Sequence, residues 1–446
     1  MRIKIINIAV AIVASTSLMG CASLYSTYQR PKENIEVDSL YQYIEATNDT
    51  TNIASLSWRE LFSDPQLQSL IEMGLESNSS LNVARLNIEQ AKIALKTARL
   101  SYLPTISATP QAGVSDFNNT TTQTYNISMS ASWEIDVFGR VRNAKERSRM
   151  AFEQSKAYEQ AVHTGLVATI ANSYYSLLLL DRQLDISIQT KKNWEDNLRV
   201  MKVLKEAGKA NQISVQQAEA NAHSLNANIV TIKEQIAELE NSLSALLGVT
   251  PQQIERGDID YVEFPSELSV GVPLQLLSNR PDVRVAEYAL AQMFYGVNEA
   301  RSSLYPKLTL GGSVGFTNGN SGIVNPGDWL FNATASLMQP IFNQGKLRGE
   351  LKISKLEYDK ALIAFSQALL DAGAEVNSSL INWQSARERL AYDAQRVESL
   401  SGAIKSSELL MKSGSANYLE VLVAQNSLLQ AQLTQSADKY SEIQGV

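Results

Sequence analysis

The chain has 446 residues, with 39 Lys and Arg against 46 Asp and Glu for a formal net charge of −7, and it carries two histidines and one cysteine. An acidic balance without a basic stripe excludes nucleic acid as a partner. With His163, His223 and Cys21 as the whole stock of imidazole and thiol, neither a His/Cys metal site nor a Ser-His-Asp triad has a full set, so no enzyme, metal or cofactor is expected.

Residues 1–20 read as an export signal. Arg2 and Lys4 precede an apolar run from Ile5 to Ala14, too short to stay in a bilayer that needs roughly 20 residues. Leu18-Met19-Gly20-Cys21 resembles the lipobox of bacterial lipoproteins, in which the cysteine becomes the acylated first residue. Ala22, rather than aspartate, resembles the outer-membrane address of enteric-type bacteria. Cleavage removes two basic and no acidic residues, leaving 37 minus 46, a mature charge of −9. That acidity leads to an expectation of a preference for cations over anions. Residues 21–57 are polar, lack a period and read as a lipidated tether.

From 58 to 103 the pattern is helical. Asp64-Pro65 supplies an N-cap and a first-turn proline. Leu67, Leu70, Ile71 and Leu75, then Leu81, Ala84, Ile88, Ala91 and Leu95, follow helical spacing on either side of Ser77–Ser80. Two short helices in series result. Residues 104–137 then alternate with a period of two. Ile106, Ala108, Ala112 and Val114 oppose Thr105, Ser107, Thr109 and Gln111; Tyr125, Ile127, Met129, Ala131, Trp133 and Ile135 oppose Asn126, Ser128, Ser130, Ser132 and Glu134. The segment Asp116 to Gln123 reads as a polar loop between them.

Residues 138–250 contain a long helical hairpin. Gly139 to Glu206 is free of proline and rich in helix formers, enough for a rod of roughly 100 Å. Its charges, among them Arg147, Glu153 and Asp181, exclude a transmembrane helix. Ala144, Ala151, Ala161, Ala168 and Ala171 offer a close-packing stripe. Gly208 suits the left-handed position that ends a helix, and Ile213 to Leu247 returns. Residues 251–280 form a linker and 281–305 a further short helix. Alternation resumes over 306–341, where Leu308, Leu310, Val314 and Phe316, then Trp329, Phe331, Ala333, Ala335 and Leu337, oppose polar neighbours across a loop from Thr317 to Asp328. Residues 342–446 repeat the helical hairpin: Lys346 to Lys412, with the stripe Ala361, Ala364, Ala368 and Ala372, then Gly414, then Tyr418 to Ile443.

The second half duplicates the first. Ala98-Arg99-Leu100-Ser101-Tyr102-Leu103-Pro104 returns as Ala300-Arg301-Ser302-Ser303-Leu304-Tyr305-Pro306, Phe138-Gly139-Arg140 as Phe342 through Lys346, and Gly208-Lys209-Ala210-Asn211 as Gly414-Ser415-Ala416-Asn417. Each alternating segment has the length of a tilted membrane strand, with Trp133 and Trp329 placed as interfacial aromatics. Four strands cannot close a barrel, which needs at least about eight. Copies must therefore combine, as a dimer of eight strands or a trimer of twelve.

Trp133-Glu134-Ile135-Asp136-Val137-Phe138-Gly139-Arg140, Asn279-Arg280-Pro281-Asp282-Val283-Arg284, Gln339-Pro340-Ile341-Phe342-Asn343-Gln344-Gly345 and Gly414-Ser415-Ala416-Asn417-Tyr418-Leu419-Glu420 occur in this order. In these motifs the chain resembles the outer membrane factors, the TolC-like outer membrane efflux proteins, and their NodT-type lipoprotein branch. The resemblance implies a mainly α chain with a transmembrane β-barrel: a homotrimer whose twelve-stranded barrel continues into a long α-helical periplasmic tunnel, with residues 251–280 at its equator. It implies a passive exit duct in the outer membrane, reaching into the periplasm and working with a periplasmic adaptor (membrane fusion) protein and an inner-membrane transporter. Gly208, Gly414, Tyr418 and Leu419 fall at the periplasmic tip. Relatives latch that tip with an acidic residue and an arginine; here those positions hold Val423 and Asn426, which implies an apolar constriction at Leu419. The family's chains also run on past Gly445-Val446, which implies a missing final stretch. A structural or adhesive coiled-coil outer-membrane lipoprotein is the competing reading, and it has no use for paired alternating strands.

Overall fold

A computed structural model describes residues 26–31, 57–208, 211–262, 280–317, 329–413 and 418–445. The signal, Cys21, Gly414 and the 318–328 loop lie outside them. In chain order the elements are α1 (Trp58–Leu61), α2 (Pro65–Ser77), α3 (Ser79–Leu100), β1 (Thr105–Phe117), β2 (Thr120–Ile135), α4 (Arg140–Glu206), α5 (Gln212–Leu246), α6 (Pro281–Ser302), β3 (Lys307–Thr317), β4 (Trp329–Met338), α7 (Lys346–Lys412) and α8 (Tyr418–Gln444). They cluster into two compact units: one of residues 1–35, 84–159 and 279–369, the other of residues 36–83, 160–278 and 370–446.

The second unit holds the largest apolar core. Ile170, Tyr174, Leu177 and Leu178 fall on one face of α4 and pack with Leu67 and Ile71 of α2, Leu81, and Leu243 and Leu247 at the end of α5. Each such side chain contributes about 1.5–3 kcal/mol by leaving water. Local chemistry sets the helix ends. Asp64 accepts the Gln66 N–H at 2.8 Å ahead of Pro65. Asn78 both ends α2, donating its N–H to Gly74 O, and starts α3, accepting the Leu81 N–H at 3.0 Å, while its amide reaches Leu246 O at 2.9 Å. Gly208 takes the left-handed conformation expected of it (φ 74°) and Gly248 does the same (φ 73°).

Two polar groups tie the linker to this core. The fully buried Tyr174 hydroxyl donates to Asp64 and accepts the Gly257 N–H at 3.0 Å. Burial and the Asp64 carboxylate push its pKa well above the ordinary tyrosine value, so it remains a donor at physiological pH. Arg256 bridges Asp181 of α4 and Glu240 of α5. Nearer the turn that follows α4, Met201, Val215 and Ala218 pack with Val421 and Leu422 of α8.

The first unit contains one antiparallel sheet, ordered β1-β2-β3-β4. The expected loop from Asp116 to Gln123 is corrected to a two-residue turn: pairing runs out to Phe117 opposite Thr120, with Asn118 and Asn119 both at positive φ (48° and 61°). That is the geometry of a tight hairpin turn, which asparagine tolerates better than other non-glycine residues. Of the alanine stripes, Ala171 and Ala372 are buried within one chain while Ala168 and Ala364 are exposed, and larger residues supply most of the described core of one chain.

Tyr174→Phe leaves the Gly257 N–H without its acceptor, a loss of about 1–3 kcal/mol. The thermal midpoint of the purified protein should fall while its helix content at low temperature is kept; an unchanged midpoint would contradict the assigned role.

Candidate functional site

The strand register sorts every side chain of the sheet onto one of two faces. Directly opposed residues share a face. One row reads Ala108, Met129, Val314, Phe331; the next reads Pro110, Ile127, Phe316, Trp329; nearer the helices lie Trp133, Leu310 and Ala335. The rows between them read Ser107, Ser130, Ser313, Asn332 and Thr105, Ser132, Gly311, Thr334. One face is therefore apolar and the other is largely hydroxyl and amide, as the alternation implied. Phe117, Leu330 and Met338 are the large apolar exceptions on the polar face.

Among the described residues, no layer covers the apolar face within a chain. Phe331 is 85% exposed and Trp329 68% exposed, so the sheet is a bare element with water-excluding side chains on one side. Trp133 and Trp329 both lie on that side, at opposite ends. Six residues of β2 separate their rows, about 20 Å along the strand, comparable to the apolar band of an outer-membrane barrel. Trp133 is held by its indole N–H on Tyr102 O at 2.8 Å, and Trp329 by its ring against Phe316, centroids 4.1 Å apart. Hydroxyls cross-link the polar face: Ser107 to Ser130 at 2.9 Å and Thr109 to Ser128 at 3.0 Å. Among the described residues, Glu134 and Lys307 are the only charges on that face, and they pair at 2.7 Å.

The helix-proximal end of the sheet is a charge junction. Glu134 accepts both Arg140 contacts at 2.7 Å in addition to Lys307. Asp136 accepts the N–H groups of Val141 at 3.0 Å and Arg142 at 2.7 Å, capping α4, and Gly139 makes the turn with φ 74°. The Trp133–Arg140 motif is thus a strand-to-helix connector. Its partner Lys307 stands far away in sequence, so only the pairing of β2 with β3 reveals it.

The residues expected at the tip divide. Gly208 has its left-handed turn, Tyr418 opens α8, and Leu419 and Val423, one turn apart, are both exposed. Val421 and Leu422 point the other way, into the cluster with Met201. The Asn426 amide donates to Leu422 O at 3.2 Å within its own helix, so here it makes a backbone contact.

No helix of the described residues is long and apolar enough to cross a membrane. Ala333→Arg on the apolar face should cost about 2–4 kcal/mol of barrel stability, read as a lower urea midpoint in lipid vesicles. Ser130→Arg on the polar face should leave that midpoint in place and move ion selectivity toward anions. The opposite pattern would reverse the assignment of faces.

The comparisons with known proteins agree with this geometry. The outer membrane efflux protein family model matches residues 70–249 and 272–444. The probable outer membrane lipoprotein SilC of Salmonella typhimurium is 28% identical over 443 residues, covering 97% of this chain and 94% of SilC. The toluene efflux pump outer membrane protein TtgF of Pseudomonas putida is 28% identical, covering 97% and 93%. A solved structure of CusC, a protein reported with transmembrane channel formation, superposes with a TM-score of 0.83 at 25% identity, over 94% of this chain and 96% of that one. With more than half of its length matched by the family model, the chain belongs to the outer membrane efflux protein family.

Proposed function

We propose that three copies of this chain form the outer-membrane exit duct of a tripartite efflux system, passing small molecules from the periplasm or the pump to the exterior. The observation that carries this is the four-stranded sheet with one uncovered apolar face, one hydroxyl-lined face and two outer strands, β1 and β4, that have a neighbour on one side only. Backbone groups in hydrocarbon must pair, so the outer strands of successive copies join, and three sheets of four strands give the twelve-stranded barrel. The hydroxyl face then lines water. A periplasmic adaptor and an inner-membrane transporter supply the energy, since nothing in this chain's chemistry does.

The neutral polar face qualifies the expectation of cation preference. With Glu134 and Lys307 offsetting each other, the strands themselves impose little charge selection on the cargo. A plain coiled-coil lipoprotein would not need the sheet at all, and the bare apolar face counts against it.

The lipid anchor fits the first described residues. Asn298 donates to Ser26 Oγ at 3.4 Å, the Tyr28 N–H to the Tyr295 hydroxyl at 3.3 Å, and Arg30 to Glu287 at 2.9 Å, seating this segment on α6. Cys21 lies five residues before Ser26, a reach of at most about 17 Å. Metabolic labelling with a fatty acid should mark the wild type and be lost in Cys21→Ser; an unlabelled wild type would remove the anchor.

The exposed Leu419 and Val423 support an apolar constriction at the periplasmic end, gated by dewetting rather than by an ion pair. In planar bilayers the reconstituted wild type should show a low closed-state conductance, and Leu419→Ala should raise it several-fold. Conductance that stays at the wild-type closed level would show that Leu419 is not the constriction.

A further inference from the structure

The two long helical hairpins come from one duplicated sequence, so each position in one has a counterpart in the other. Gly139 with Gly345 and Gly208 with Gly414 stand 206 residues apart, and the buried pair Val215 and Val421 keeps that offset. The copies therefore align without a gap over this stretch. At two aligned positions their chemistry parts. α4 and α5 carry Ser187 and Ile232 where α7 and α8 carry Asp393 and Asp438. All four are buried, at 0%, 4%, 7% and 8% exposed. The first hairpin holds no charge here: the Ser187 hydroxyl donates to Gln183 O at 2.7 Å within its own helix, and Ile232 is apolar.

In the second hairpin the two carboxyl groups lie within hydrogen-bonding reach of each other. Arg389, one turn before Asp393 on α7, donates to Asp438 Oδ1 at 2.7 Å. Among the described residues, however, no donor reaches the buried Asp393 Oδ2. Two ionised carboxylates fit this arrangement poorly, since neither has a proton to offer and like charges out of water repel. One proton held between them supplies the missing donor. Burial first, and then the Asp438 carboxylate, raise the pKa of Asp393 above the ordinary carboxylate range, with Arg396 and Arg389 of α7 opposing.

Other charges on the neighbouring elements are paired elsewhere or exposed. On α8, Lys439 pairs with Glu442, which also meets Arg387 of α7. The Ser176 and Tyr440 hydroxyls, 2.7 Å apart, place this part of α8 beside α4, whose nearest charges, Asp181 and Arg182, pair with Arg256 and Asp260. On α5, Glu240 also pairs with Arg256, while Lys233, Glu234 and Glu238 are exposed.

We propose that Asp393 and Asp438 form a shared proton site that makes the α7–α8 hairpin a pH-sensitive joint, packed while the pair holds one proton and loosened when both carboxylates are ionised. A carboxyl that binds its proton more tightly in the packed hairpin than in the opened one stabilises packing at low pH. That contribution is fully present below the ordinary aspartate pKa of about 3.9 and is lost as pH rises through the raised value. The first hairpin, with Ser187 and Ile232, has no such window. The joint lies within one chain and stands without the duct. Its consequence for conduction rests on the constriction proposed above, because Leu419 and Val423 belong to α8 of the same hairpin.

Hydrogen exchange of the full-length protein in detergent, read by mass spectrometry and corrected for intrinsic exchange rates, tests the joint between about pH 5 and about pH 8. Protection of α8 peptides around Asp438 should fall several-fold as pH rises, about tenfold for each unit by which packing raises the pKa. Peptides of α5 around Ile232 should stay level. Asp393→Asn, whose amide can donate to Asp438, and Asp393→Ser, which copies the first hairpin, should both keep α8 protection level across the range. Level protection of α8 in the wild type would overturn the joint, as would a fall that persists in both variants or an equal fall in α5. The exchange reading needs no channel, so it holds or fails independently of the duct. In planar bilayers the closed-state conductance of the wild type should rise over the same pH range and that of Asp393→Asn should not. Conductance that stays level while α8 protection falls would overturn the link to the constriction and leave the joint standing.

Discussion

Backbone hydrogen bonding in hydrocarbon is the constraint on which the rest of this structure depends. Every N–H and C=O at membrane depth needs a protein partner, and a sheet of four strands with two outer edges does not meet that demand alone. The apolar face adds a second demand, because Phe331, Trp329, Ile127 and Met129 are exposed, with no covering layer among the described residues. Both are met at once if copies close edge to edge, with that face toward lipid and the hydroxyl face toward water. Assembly is thus a condition of the sheet's stability as well as of the pore.

The helices answer a different solvent. Their charged residues keep them in water, and their stability comes from faces such as the Ile170–Tyr174–Leu178 stripe. Connectors between the two regimes are correspondingly dense in specific contacts. Asp136 caps α4, Glu134 gathers Arg140 and Lys307, and Arg256 staples the linker to both helices of the first hairpin. The contacts of Asp136 and Glu134 sit where strand geometry gives way to helix, a place where charge-assisted hydrogen bonds fix a direction.

The parts of this arrangement that obey a period were legible in the sequence. The period-two segments gave both sheet faces, and the proline-free stretch from Lys346 to Lys412 coincides with α7. Features that depend on a distant partner were not. Lys307 meets Glu134 only through the β2–β3 pairing, and the Tyr174 hydroxyl joins Asp64 to Gly257 across three separate segments. The Asn118-Asn119 turn was hidden for another reason: asparagine in a polar, threonine-rich stretch looks like loop, and its tolerance of positive φ matters only once the flanking strands pair. Among the residues expected at the tip, the departure at Val423 and Asn426 was visible, while the division of Leu419 and Val423 from the buried Val421 and Leu422 needed the packing of α8 on Met201.

The most direct measurement is the mass of the detergent-solubilised, membrane-extracted particle, corrected for bound detergent. Three chains of about 49.1 kDa before processing are expected in each particle, stable only while detergent or lipid covers the apolar band. A single chain that stays folded and dispersed in water without detergent would contradict the lipid-facing sheet, and with it the barrel and the duct.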